Sequence, residues 1–236
     1  MERLKVAELL SEEERLLKLI RSTYVDPTGA STVITDGLVN PELYASTNPR
    51  ILWLLKEPYD GGDARTGGGW CLCKDLLLAK TDMMARKPAF QPICYITHGI
   101  LSGQHDWDAM QWLRDSEQIR HSLRSIAFIN VSKLPGLKTS MNNEIVAAYR
   151  KYRATILSQI RAYSPEIIFA CAPHVHPVAQ DLGLDSRPWR EIGTAAVRIG
   201  SQGQRLVWVY HPSQRTKGIT RLRYVNDAIE AATMPL

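Results

Sequence analysis

The sequence has no run of about 18 apolar residues, the length a helix needs to cross a bilayer. Its opening, MERLKVAELLSEEER, has neither the apolar stretch nor the small-residue cleavage site of a secretory signal. These absences argue against a membrane-spanning or exported chain, and a cytoplasmic protein is expected. Cysteine is also scarce: four residues, at 71, 73, 94 and 171, are too few to staple 236 residues and read as free thiols in a reducing compartment. The Lys-Ser/Thr ending of a phosphate-binding loop does not follow Gly67 to Gly69, and the strand-glycine-helix spacing of a dinucleotide fold is missing too, which excludes a nucleotide cofactor. Internal repeats, low-complexity tracts and a dividing linker are likewise absent, so one domain spanning 1–236, with an N-terminal helical segment over about 1–49, is expected.

What is present is a set of short apolar runs. ILWLL (51–55), IAFINV (126–131), EIIFACA (166–172) and LVWVY (206–210) read as strands buried on both faces. Between the second and third, Ile145, Tyr149, Tyr152, Ile156 and Ile160 recur at helical spacing over Asn142 to Tyr163, and a last helix begins near Thr220 and closes at Ala228. Ser11 with Glu12 to Glu14 reads as a capping box that opens a helix running to about Ser22. Residues 86 to 125 read as a long, mostly helical insertion. Strands separated by helices predict an α/β fold, a three-layer α/β/α sandwich on a central four-stranded parallel sheet, whose ligands bind beyond the carboxyl ends of the strands.

Polar residues collect at those ends. KEPYDGG (56–62) carries Glu57 and Asp60 around Pro58 and Tyr59; NVSKLPG (130–136) begins with Asn130; APHVHP (172–177) holds His174 and His176; HPSQR (211–215) joins His211 to a proline-stiffened turn and a basic run. The glycine-dense loop DGGDARTGGG (60–69) follows the first of these and leads into Trp70. A metal is not expected: Cys71, Cys73, Cys94 and His98 could supply Cys3His, but a CxC pair with its remaining ligands twenty or more residues away has neither zinc nor iron-sulfur spacing. His174 and His176 read as turn and surface residues. The net charge of +5 permits a polyanionic partner.

The ordered set of strand-end motifs, from about Arg50 to Asn226, resembles the uracil-DNA glycosylase superfamily, in which one strand ends in an acidic or amide residue beside a proline, a second ends in Asn and the last leads into His-Pro-Ser. The resemblance implies a monofunctional DNA glycosylase that flips a base and hydrolyses its N-glycosidic bond without a cofactor, acting as a monomer on DNA. It assigns Glu57, with Asp60 beside it, to the attacking water or the cationic sugar, and His211 to the leaving base. It assigns Asn130 to base recognition, and Tyr59 or Trp70 to stacking and to the pyrimidine C5. Arg215 becomes the wedge, while Ser213, Lys217, Arg221 and Arg223 hold phosphates. Glu57 stands where the family usually has Asp, Asn or Ala. Overall the chain is similar to stand-alone prokaryotic members that remove heavily modified bases from phage DNA, such as glucosylated hydroxymethylcytosine. Two rival readings stay open: excision of uracil or hydroxymethyluracil in repair, and a catalytically silent binder of modified DNA.

Overall fold

The computed structural model describes residues 6–60, 66–137, 139–171, 174–184, 186–213 and 216–235. The four predicted strands form, with small end shifts, as β2 (Ile51–Leu55), β3 (Ala127–Asn130), β4 (Ile167–Cys171) and β7 (Arg205–Val209), and they pair in parallel in the order β3-β2-β4-β7. The sheet has seven strands rather than the expected four. β1 (Gly37–Leu38) adds antiparallel to β3, while β6 (Ala195–Ile199) and β5 (Arg190–Ile192) add antiparallel beyond β7. These edges escaped the sequence reading because two are only two or three residues long and the third, AAVRI, is three-fifths alanine and arginine and lacks a long apolar run.

Helices cover both faces, as the near-continuous apolar strands require. Alternate residues divide the strands: Trp53, Phe128, Phe169 and Val207 pack under α4 (Phe90–Ser102) and α8 (Arg221–Thr233). Leu52, Leu54, Ile129, Ile168 and Leu206 pack under α1 (Val6–Thr23), α2 (Pro41–Ser46), α6 (Asn142–Tyr163) and α7 (Val175–Asp181). The 86 to 125 region holds α4 and short α5 (Glu117–His121), and short α3 (Thr81–Ala85) precedes it. α1 is already helical at Val6, so Ser11 lies inside it and does not cap it. α8 starts as expected, with the Thr220 side chain accepting from the Arg223 amide, but runs past Ala228 to Thr233 because Ala231 and Ala232 continue its buried face. Among the described residues no helix is long and apolar enough to cross a membrane.

A buried polar chain that the sequence did not announce ties the N-terminal segment to the sheet. Asp36 and Lys133, both without solvent exposure, form an ion pair at 2.6 Å. Asp36 also accepts from the Asn130 amide (2.7 Å) and from Gln159 Nε2 (3.1 Å). Gln159 reaches Tyr163, whose hydroxyl donates to Glu13 at 2.5 Å on α1. Burial raises the Glu13 carboxyl to about 7, since removing it from water disfavours its charged form.

Candidate active site at the strand ends

The register places Asn130 opposite Leu55, Leu54 opposite Ala170, and Cys171 opposite Val209. The carboxyl ends of the four parallel strands therefore stop nearly level. With neighbouring strands about 4.8 Å apart, β2 and β7 end about 10 Å from each other, and β3 and β7 about 14 Å. The chain leaves β2 toward β3 but leaves β4 toward the β5-β6-β7 side, so connections diverge between β2 and β4. That divergence opens the crevice in which ligands of open α/β sheets sit.

His174 fills the floor of this crevice. It is fully buried, and its Nε2 lies 3.1 Å from the Leu54 carbonyl oxygen. A carbonyl only accepts, so Nε2 carries the proton and Nδ1 is a bare acceptor, buried and without a partner among the described residues. Burial, with smaller contributions from Lys56 and His211, holds the imidazole down at about 4. The expected turn is there at His174, which precedes α7, but its side chain is buried against the Leu54 carbonyl rather than at the surface. His176, two residues on, is exposed as expected.

His211 follows β7. Its Nδ1 lies 2.7 Å from the Ser213 hydroxyl and accepts from the Ser213 amide at 3.3 Å. An amide can only donate, so Nδ1 is the unprotonated nitrogen and the neutral ring carries its proton on Nε2. Burial first, then the charge of Lys56, lowers the group to about 4, so His211 is a neutral donor at pH 7. The His-Pro-Ser sequence thus has a local logic: proline fixes the turn that brings Ser213 back onto the ring.

Glu57 follows β2. Its side chain packs on Gly136, where a Cβ would lie 2.3 Å from Glu57 Cγ, and its Oε1 is buried without a hydrogen-bond partner. It lines a cleft of about 250 Å3 with Ser132, Ala148, Lys151 and Tyr152. Pro58 and Gly136 hold the two loops together through a backbone hydrogen bond of 2.8 Å. Tyr59 bridges to Gly136 but is 48% exposed. Asn130 is almost fully buried, and its Nδ2 has no partner among the described residues.

Asp60 accepts from the Gly68 amide (2.6 Å) and from Trp70 Nε1 (3.0 Å), so its carboxylate braces the glycine loop and fixes the indole. Gly67, Gly68 and Gly69 all have positive φ, and a Cβ on Gly68 would fall 1.9 Å from the Thr32 carbonyl oxygen. Only glycine allows this run to lie against residues 31–35. Trp70 and Gly69 wall a cleft of about 650 Å3 with Arg21, Thr32, Thr35 and Lys74.

The structure brings some of these residues together and leaves others apart. Asp60 touches Trp70, and His211 touches Ser213. Among the described residues, Glu57, Trp70 and Arg221 line three different clefts. Lys217, Arg221 and Arg223 are exposed beyond His211; Arg221 donates to Gln91, and Arg223 makes a 3.6 Å ion pair with Asp227. Arg215 lies outside the described residues. All four cysteines are free and buried, with burial pushing Cys171 up to about 12, and no three His, Cys, Asp or Glu residues gather into a metal-holding group among the described residues. No family model matches the sequence, and no curated protein matches it.

Proposed function

We propose that the chain is a monofunctional DNA glycosylase that hydrolyses the N-glycosidic bond of an extruded pyrimidine, with a heavily modified base of phage DNA as its target. The observation that carries this reading is the Nε2–H of a half-buried, neutral His211, fixed by Ser213 at the mouth of β7. Glycosidic cleavage puts negative charge on the departing base and positive charge on the sugar. A neutral imidazole aimed at a base carbonyl stabilises the first, and a donor of this kind is worth about 10²–10³ in rate. Its depressed proton affinity keeps it a hydrogen-bond donor and makes it a poor general acid. Glu57, two residues beyond the end of β2, a strand that stops about 10 Å from β7, supplies a carboxylate for the cationic sugar or the attacking water.

Asn130 offers both a donor and an acceptor to a base edge. Trp70, held by Asp60, offers an aromatic face beside a cleft roomy enough for a substituted base. The exposed Lys217, Arg221 and Arg223 match phosphates on the strand that must be bent to flip a base. Of the two lysines that follow the central strands, Lys133 is fully buried against Asp36 and cannot reach a sugar, while Lys56, near enough to act on His211, lies 3.5 Å from Asn142 Oδ1; monofunctional chemistry requires that Lys56 form no adduct, which borohydride trapping tests.

The test is incubation with matched duplexes and single strands carrying uracil, hydroxymethyluracil, hydroxymethylcytosine or glucosylated hydroxymethylcytosine. Strand breaks that appear only after alkali, with no borohydride-trapped adduct, are expected on one of them. Retention of DNA without product on every substrate would replace the glycosylase by a binder of modified DNA.

A further inference from the structure

Beyond β7 the sheet carries a cleft of about 310 Å3 that the proposed chemistry does not use. Its floor is one cross-strand row, Trp208–Ala196–Glu191, running from β7 through β6 to β5 on the face opposite α8. Ala196 is small, so Trp208 on one side and Glu191 on the other stand above a flat base. Trp189 lies on this face two residues before Glu191, with the Arg198 guanidinium stacked 4.6 Å from its ring centroid and His176 edge-on at 6.2 Å. Val175 and His176, at the start of α7, close the cleft from the side of the β4 end. Trp189 Nε1 is buried and unpartnered among the described residues, as is Arg198 Nε.

We infer that this cleft is a second nucleobase site, which holds an unpaired guanine of the DNA whose target base is excised at the rim. The Trp208 indole over a floor of one methyl group, walled by Trp189, fits a flat aromatic ring, and stacking of this kind is worth about 1–3 kcal/mol per base. A carboxylate placed at the outer end selects among bases. Guanine alone offers two adjacent donors, N1–H and N2–H, to two carboxylate oxygens. Adenine and cytosine set a ring acceptor beside their amino group, and thymine flanks one N–H with two carbonyls.

Indoles with an acid could also cage an ammonium group. Arg198 already covers the Trp189 face, and Arg187 is exposed on the same segment, so the local charge opposes a cation and favours a nucleotide's phosphate. Position supports the same occupant: Trp208 lies three residues before His211, so the cleft opens on the rim where the substrate strand would run.

The inference rests on the DNA reading above, and its test is independent of excision. Calorimetric titration of the whole chain with dGMP, dAMP, dCMP, dTMP, deoxyribose 5-phosphate and tetramethylammonium should show dGMP binding at least fivefold more tightly than the other nucleotides. Glu191→Gln, at an exposed position, should erase that preference, weakening dGMP binding about fivefold or more, and Ala196→Leu should abolish binding by filling the floor. Equal affinity for dGMP and deoxyribose phosphate, or dGMP binding untouched by both substitutions, overturns the inference, and tetramethylammonium binding without dGMP reassigns the cleft to a cation. Excision without dGMP binding would sink this inference alone; dGMP binding without excision on any substrate would sink the glycosylase reading alone.

Discussion

The state of His211 can be measured before any substrate is identified. Its group sits near 4 against an ordinary histidine value of about 6.5, and the cause is burial reinforced by Lys56. At pH 7 the protonated fraction is then about one in a thousand, where an ordinary histidine would be about one quarter protonated. In protein labelled with 15N at histidine, long-range proton-nitrogen spectra distinguish the two tautomers and the cation. His211 and His174 should both appear as neutral rings with the proton on Nε2, unchanged from pH 8 to pH 5.5. A His211→Asn spectrum identifies the first signal. An Nδ1–H tautomer at His211, or a midpoint near 6.5, would refute the reasoning, because the Ser213 amide could not then face an acceptor.

The same depression has a stability consequence whose sign is fixed. The unfolded chain takes up a proton at about 6.5 and the folded one only near 4, so stability is complete above pH 6.5 and is lost as pH falls through this window. The gap corresponds to roughly 3 kcal/mol for each of His174 and His211 as an upper bound, a large share of a typical 5–15 kcal/mol. Urea midpoints for the wild type should therefore fall between pH 6 and pH 4.5 more steeply than those of His211→Asn.

Three further outcomes follow from the packing. Gly136→Ala places a methyl 2.3 Å from the present Glu57 Cγ and must displace that side chain, so excision should fall about tenfold or more while the urea midpoint moves little; unchanged excision with Glu57 displaced would remove Glu57 from the mechanism. Lys133→Met leaves Asp36 charged and buried, and should cost about 3–5 kcal/mol in urea unfolding, with part recovered in Asp36→Asn/Lys133→Met. Glu13→Gln acts in the opposite pH direction to the histidines. The Glu13 carboxyl is raised to about 7, so its protonated form stabilises the fold below about pH 4.5 and that contribution is lost as pH rises through 7; the variant should be the more stable chain at pH 8 and gain nothing at pH 4 by urea titration.

How much the sequence disclosed depended on whether a residue's partners were local. The four apolar runs were legible because burial on both faces requires continuous apolar side chains; the His-Pro-Ser turn was legible as a motif, but Ser213, expected on phosphates, has its hydroxyl on the His211 ring. The edge strands were not, since a strand of two or three residues carries no period. The long-range polar chain was hidden for a different reason. Glu13 looks like one more solvated acid in a run of three, yet it is 4% exposed because Tyr163 and the Leu38 amide, far away in sequence, meet it there. Lys133 and His174 read as loop residues for the same reason: Asp36 and the Leu54 carbonyl that claim them arrive from other elements. Spacing could not say whether Glu57, Asp60 and Trp70 share one role. The structure separates them, because Asp60 spends both oxygens on Gly68 and Trp70, whereas Glu57 keeps a buried Oε1 unpaired against Gly136. A carboxylate already satisfied by backbone and indole braces a loop; one held without a partner beside a cleft is the one to which the proposed reading gives the chemistry.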